Sequence, residues 1–209
     1  MIHVVLCDDH AVVRRGIRDT LSEAVDIKVT GEAGGYAELR ELLRSTPCDV
    51  LLLDLSMPGR GGLEVLTGLT ETDSPIKVLV VSMFPADQYA IRCLRAGAKG
   101  YVSKAGDPDE LISATRTVAQ GRKYVTAEVA QMLADSVARP ALEAAHAALS
   151  ERELQTLIKI ASGQRLSDIA EELMLSPKTV SVYRTRVMEK LGLPTNAALT
   201  VYAIRNNLI

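Results

Sequence analysis

Over residues 1–120, short apolar runs alternate with stretches of four-residue periodicity, and this alternation restricts the fold more than any other feature of the chain. Val4-Val5-Leu6, Ile27-Lys28-Val29, Val50-Leu51-Leu52-Leu53, Val78-Leu79-Val80-Val81 and Gly100-Tyr101-Val102 are β-branched or continuously apolar, which marks them as strands. Most are apolar on both sides of the pleat, as in a parallel sheet covered on both faces. Between them, Val13, Ile17 and Leu21 recur every fourth residue. Leu39, Leu42 and Leu43, then Leu63, Val65 and Leu66, then Ile91 and Leu94, then Leu111, Ile112 and Val118 continue the helical pattern. Asp107, Pro108 and Glu110 predict a capped start for the last of these helices, with Glu110 closing a capping box. Five strand–helix units imply an α/β fold: a doubly wound five-stranded parallel sheet in the order 2-1-3-4-5.

After Gly121 the pattern changes. Residues 121–148 are alanine-rich, weakly periodic and broken at Arg139-Pro140, so they read as a partly helical linker. Residues 149–209 are helical throughout. Ser150-Glu151-Arg152-Glu153 is a second capping box, and Gly163 stops that helix. Ser167 opens the next, and Ser176-Pro177 opens a third that Gly192 ends. Two helices joined by Met174-Leu175-Ser176 predict a helix-turn-helix in an all-α second domain. With 47% hydrophobic and 24% charged residues, the chain has the balance of a globular protein with a real core. No apolar run reaches the roughly 18 residues of a membrane span. The start lacks the basic region of a secretory leader, and Cys7, Cys48 and Cys93 lie in or beside apolar segments. A cytoplasmic protein with reduced cysteines is expected.

In an open α/β sheet, ligands bind outside the carboxyl ends of the strands. Strand 1 ends in Asp8-Asp9, strand 3 in Asp54 and strand 4 in Ser82, while Lys104 follows strand 5. Strands 1 and 3 are neighbours in the expected order, so the carboxylates converge and repel one another. A divalent cation relieves that repulsion, and an all-oxygen ligand set suits Mg²⁺, which shares its coordination with waters and a phosphate. Lys104 and Ser82 across the crevice complete a phosphate cradle. The chemistry suggested is phosphoryl transfer to a carboxylate, with Asp54 as nucleophile and Mg²⁺ held by Asp8 and Asp9. An aspartyl-phosphate phosphatase fails on spacing: Asp8 is followed by Asp9 and His10, with no second Asp two positions on.

Cys7-Asp8-Asp9-His10, Leu53-Asp54-Leu55-Ser56-Met57-Pro58-Gly59, Val81-Ser82-Met83 and Gly100-Tyr101-Val102-Ser103-Lys104 resemble the receiver domain of two-component response regulators. The resemblance implies that Asp54 accepts a phosphoryl group from a sensor histidine kinase. It further implies that Asp9, Asp54 and the backbone carbonyl of Ser56 bind Mg²⁺, that Asp8 acts mainly through a metal-bound water, and that Lys104 binds the phosphoryl group. Ser82 and Tyr101 resemble the family's switch pair: the Ser82 hydroxyl swings in to a phosphoryl oxygen, and the Tyr101 ring fills the space it vacates. Met57-Pro58 bends the loop after Asp54, and Gly59, Gly61 and Gly62 let backbone approach the site.

The net charge of −2 hides an asymmetry. From Ala147 onward eight Lys and Arg face six Asp and Glu, and four of the bases fall between Lys178 and Lys190 with only Glu189 against them. On a helical wheel Val180, Val187 and Leu191 share one stripe. Lys178, Val182, Thr185, Arg186 and Glu189 occupy the opposite face; Thr179, Tyr183 and Lys190 flank it on one side, and Ser181 and Met188 on the other. Val182 suits a thymine methyl, while Lys178, Thr185 and Arg186 can reach base edges or phosphates. Tyr183, Arg184 and Lys190 are placed for backbone contact.

Leu149-Ser150-Glu151-Arg152-Glu153, Gly163, Ile169-Ala170, Leu175-Ser176-Pro177-Lys178-Thr179-Val180 and Lys190-Leu191-Gly192 resemble the LuxR-type helix-turn-helix. Paired with a receiver, it defines the NarL/FixJ group of transcription regulators. His is frequent in that group where Tyr183 stands here, so base preference does not transfer. The resemblance implies double-stranded promoter DNA and RNA polymerase as partners, a homodimer favoured by phosphorylation with a contact through the last helix (Asn196 to Asn206), and a regulator rather than an enzyme. The alternative is a DNA-binding regulator that acts independently of phosphorylation.

Overall fold

The computed structural model describes residues 1–72, 74–138, 145–206 and 208–209; the expected break at Arg139-Pro140 lies outside the described residues. The chain divides into two compact units, Met1–Asp135 and Ser136–Ile209. The first alternates strands and helices: β1 (Ile2–Cys7), α1 (Ala11–Ser22), β2 (Ile27–Ala33), α2 (Tyr36–Ser45), β3 (Val50–Leu53), α3 (Gly62–Glu71), β4 (Lys77–Ser82), α4 (Ala86–Arg95), β5 (Gly100–Ser103) and α5 (Pro108–Ala119). The sheet order is β2-β1-β3-β4-β5, as expected, and each neighbouring pair is parallel.

The apolar runs are continuous because both faces of the sheet are covered. Val4, Leu6, Val50, Leu52, Leu79, Val81 and Val102 share one core cluster with Leu21 of α1 and with Leu111, Ile112 and Val118 of α5. The alternate residues Val5, Leu51, Leu53, Val78 and Val80 are buried as well. Burying each such side chain contributes about 1.5–3 kcal/mol.

The stretch 121–148 contains a helix, α6 (Ala127–Ala138), and a 3₁₀ turn over Ala145–Ala148. The second unit then carries α7 (Glu151–Ala161), α8 (Leu166–Glu172), α9 (Pro177–Leu191) and α10 (Asn196–Arg205). Leu154, Leu157, Ile160, Ile169, Val180, Val187, Leu199 and Ala203 form its buried interior. The capping box of α7 is complete: Ser150 Oγ accepts from the Glu153 N–H at 3.3 Å, and Glu153 Oε2 accepts from the Ser150 N–H at 2.7 Å. Ser176 caps α9 by accepting from the Thr179 N–H at 3.1 Å, and Gly192 ends it with φ 65°.

Two local expectations are corrected. Asp107 caps α5 through the Asp109 N–H, but Glu110 does not return to close a box; its carboxylate accepts from the Tyr124 hydroxyl at 3.1 Å. The aromatic partner sits fourteen residues downstream, where a local pattern does not reveal it. Ser167 lies inside the first turn of α8 with its hydroxyl on Asp168, and Arg165 is the residue before the helix.

The glycines after Asp54 serve different ends. Gly59 takes a left-handed turn at φ 77°, whereas Gly61 is ordinary extended backbone. Gly62 matters for space: a Cβ there would lie 2.1 Å from the Asp54 carbonyl oxygen. That obstacle is backbone of the strand end and cannot swing away. Gly62→Ala therefore lowers the unfolding free energy by about 1–3 kcal/mol, read from the urea midpoint, through displacement of the loop that follows Asp54.

Candidate metal centre and nucleic-acid interface

The strand ends are held in register beyond the sheet proper. The Asp54 N–H donates to the Cys7 carbonyl at 2.9 Å, the Asp8 N–H to Ala33 at 3.1 Å and the Lys104 N–H to Ser82 at 2.9 Å. These bonds extend the ladder by one step, so Asp8, Asp54 and Lys104 start from fixed backbone and meet at the carboxyl edge. Asp8 is 3% exposed and Asp54 is 2% exposed. Lys104 Nζ reaches between them, 2.7 Å from Asp8 Oδ2 and 2.9 Å from Asp54 Oδ2.

One ammonium does not satisfy this cluster. Asp54 Oδ1 is buried without a hydrogen-bond partner among the described residues. Burial pushes the Asp54 carboxyl up, and Asp8 adds to that; the Lys104 ammonium and the Ser56 backbone N–H oppose it without cancelling it. Buried carboxylates with open lone pairs fit a hard divalent cation. Single ligand atoms of Asp8, Asp9, His10 and Asp54 all lie within 4.8 Å of one another. Beneath them Cys7 Sγ contacts Met57 Sδ at 3.4 Å, and burial, with Asp8 and Asp54 nearby, pushes the Cys7 thiol up to about 12. That thiol stays protonated and packs as an apolar group.

His10 is the member that the sequence did not single out. It stands at the N-cap of α1 in extended backbone, which turns its ring back over the carboxylates. The only sequence signal was its position directly after Asp8-Asp9.

Ser82 and Tyr101 both converge on Phe84. Ser82 Oγ accepts from the Phe84 N–H at 3.2 Å, and the Tyr101 hydroxyl donates to the Phe84 carbonyl at 2.8 Å. The Phe84 ring stacks on buried Tyr89 of α4 at 4.6 Å. The expectation that Tyr101 moves into space vacated by Ser82 meets a different starting point, since Tyr101 is already 2% exposed.

In α9 the wheel translates into burial except at Leu191, the last residue of the helix, which is half-buried. Val180 and Val187 are fully buried; Lys178, Val182, Thr185, Arg186 and Glu189 are exposed, and Thr179, Ser181, Tyr183 and Arg184 are half-buried. The cations divide into two kinds. Lys190 Nζ lies 2.6 Å from Glu153 Oε2, and Arg184 Nε donates to Asn196 Oδ1 at 2.6 Å. Both were expected to contact a nucleic-acid backbone; in the DNA-free structure Lys190 pairs with the carboxylate of the α7 capping box. Lys178 and Arg186 have no ion pair among the described residues.

The family described as response regulator receiver domain matches residues 4–116, and the luxR family of bacterial regulatory proteins matches residues 147–203. The chain is a two-component response regulator of the NarL/FixJ type. It is 41% identical over 209 residues to the response regulator UvrY of Escherichia coli strain K12, covering all of this chain and 96% of that one. It is 37% identical over 210 residues to GacA of Pseudomonas aeruginosa, covering 100% and 98%. RcsB of Salmonella enterica serovar Typhimurium, solved on the rprA promoter with the phosphomimetic BeF₃⁻, is 27% identical with a TM-score of 0.63 over 96% of this chain and 97% of that one. The regulator thus pairs a receiver with a LuxR-type DNA-binding domain in a family of regulators, not of enzymes. No described helix is long and apolar enough to cross a membrane.

Two outcomes follow from the charges. Because the fold raises the Asp54 pKa, protonation of Asp54 stabilises the native state, a contribution present at low pH and lost as pH rises through the raised value. In metal-free buffer Asp54→Asn therefore raises the thermal midpoint at neutral pH, and the gain shrinks on acidification. Glu153 has the opposite sign. Burial pushes it up, but the Lys190 ammonium and the Ser150 N–H outweigh burial and hold it below its usual range. Its contribution is present above the ordinary carboxyl range and lost as pH falls through the lowered value. Lys190→Ala costs about 1–3 kcal/mol at neutral pH by denaturant titration, and the loss shrinks in acid.

Proposed function

We propose that this regulator is switched by phosphoryl transfer from a sensor histidine kinase to Asp54, and that residues 1–120, 121–148 and 149–209 act as receiver, linker and DNA-binding domain. The observation that carries the reading is the Asp54 carboxylate, buried with an unsatisfied oxygen beside Asp8, Asp9 and the Lys104 ammonium. Asp54 attacks the phosphorus of a phosphohistidine; the new O–P bond forms as the N–P bond breaks, and the departing imidazole is protonated by solvent. Asp8, Asp9, Asp54 and the Ser56 carbonyl would hold Mg²⁺, which when bound offsets the charge gathering on the phosphoryl oxygens. Lys104 neutralises the group once it is attached, and its short tether between two carboxylates orients it for that role.

Phosphorylation adds about −1.5 to −2 charge and three strong acceptors. Ser82 Oγ exchanges its contact with the Phe84 N–H for a donor bond to a phosphoryl oxygen. Phe84 is then held by Tyr101 through its carbonyl and by Tyr89 through its ring, so the shift passes to α4 and β5. A bias of a few kcal/mol between two arrangements is sufficient for a switch.

The output is double-stranded promoter DNA read by α9, with Lys178 and Arg186 supplying free charge and Val182, Thr185, Thr179, Ser181 and Tyr183 shaping the contact. Arg184 serves by fixing α9 to α10 through Asn196. The active form is a homodimer on paired half-sites in the cytoplasm, acting with RNA polymerase. RcsB solved as two dimers bound to two parallel DNAs, at 28% identity and a TM-score of 0.60, supports the dimeric reading. A second reading, a regulator that binds DNA without phosphorylation, is favoured by Tyr101 already standing in its inward position.

Treatment with acetyl phosphate and Mg²⁺ separates the two. The wild type gains an acyl phosphate by mass spectrometry and binds promoter DNA more tightly, while Asp54→Asn does neither; equal affinity of the two proteins in both conditions selects the second reading. Lys178→Ala and Arg186→Ala each weaken DNA binding and reduce the slope of log affinity against log salt by about one. Lys190→Ala leaves that slope unchanged.

A further inference from the structure

Resting on the reading of the acidic cluster as a metal centre, we propose that His10 Nδ1 is an additional ligand atom of that centre, giving it a mixed nitrogen–oxygen donor set that takes a later transition-metal ion in competition with Mg²⁺. The imidazole is not a distant bystander. His10 Nδ1 lies 2.8 Å from Asp9 Oδ1 and 3.5 Å from Asp8 Oδ1, within the group of four ligand atoms. With a protonated ring the contact to Asp9 is an ion pair; with a neutral ring whose Nδ1 carries no hydrogen, that lone pair faces the same space as the carboxylate oxygens. A metal ion that took both atoms would replace the proton between them. The nine-tenths-buried Asp54, with Oδ1 unsatisfied, supplies an independent pointer to an occupant of the same space.

The local fold keeps the ring there. The His10 N–H donates to Asp8 Oδ1 at 2.8 Å, which ties the backbone of the N-cap to the first carboxylate. Arg14, one turn into α1, donates to the Asp8 carbonyl at 2.5 Å and pins the same segment from the other side. His10 makes no side-chain capping bond to α1, so its imidazole has no structural duty at the helix start.

Ligand chemistry then fixes which ions benefit. Mg²⁺ is a hard ion that takes oxygen and gains nothing from imidazole. Affinity for nitrogen-bearing sites rises from Mn²⁺ through Co²⁺ and Ni²⁺, and Zn²⁺ also favours imidazole. A carboxylate-only centre would rank these ions less steeply than one with His10 in it. Because the later ion uses the same aspartate oxygens, its binding displaces Mg²⁺ and removes the cation that assists phosphoryl transfer.

The test uses the untagged full chain at one fixed pH, titrated with Co²⁺ by visible absorption and with Mg²⁺ by calorimetry, for the wild type, His10→Ala and Asp9→Asn. The expected result is that His10→Ala weakens Co²⁺ binding by about tenfold or more and alters the cobalt bands, while Mg²⁺ affinity is unchanged. Excess Mg²⁺ should also displace Co²⁺ from the wild type. Equal weakening of both ions would mean that His10 merely orients Asp9, and unchanged Co²⁺ affinity would mean that it does not touch the ion; either result overturns the proposal. If Asp9→Asn leaves both ions unaffected, the metal-centre reading itself fails, independently of His10.

Discussion

Mutual repulsion among carboxylates at one edge of the sheet is the constraint around which the receiver is organised. Parallel pairing brings the carboxyl ends of β1 and β3 side by side, so Asp8 and Asp54 cannot avoid each other. A buried Lys104 holds the pair together and leaves Asp54 Oδ1 unsatisfied. The site is thereby destabilised in a directed way. It is short of positive charge, and the strand ends around it are too firmly hydrogen-bonded to spread apart. Under the function proposed above, a cation would relieve that tension and a phosphoryl group on Asp54 would redistribute it.

How much of this was legible in the sequence depended on the range of the interaction involved. The strands and their order could be read because apolar runs without alternation require cover on both faces, and Val50-Leu51-Leu52-Leu53 admits no other placement. The acidic residues were legible as soon as the strand ends were placed. The buried stripe of α9 followed from a single periodicity. The Glu110–Tyr124 bond, the Lys190–Glu153 pair and the Arg184–Asn196 bond were not legible, since each joins side chains that no local pattern relates. His10 escaped for another reason: its neighbours were visible, but the turn of the chain at the α1 N-cap that brings its ring over them was not.

The Phe84 segment shows how a small loop can carry a message. Its N–H answers to Ser82, its carbonyl to Tyr101 and its ring to Tyr89, so three different elements act on one residue. In the switch proposed above, a change at Ser82 would reach Tyr101 and Tyr89 through this one residue.

In the second unit, Glu153 closes the start of α7 while receiving the ammonium near the end of α9. The fastening matters for anyone wishing to move the reading helix between scaffolds. A transplanted segment that ends with a lysine but arrives in a host without the matching acid at the foot of the supporting helix would lose the ion pair that fastens α9 to α7. The portable module is the helix together with its anchor, thirty-seven positions upstream.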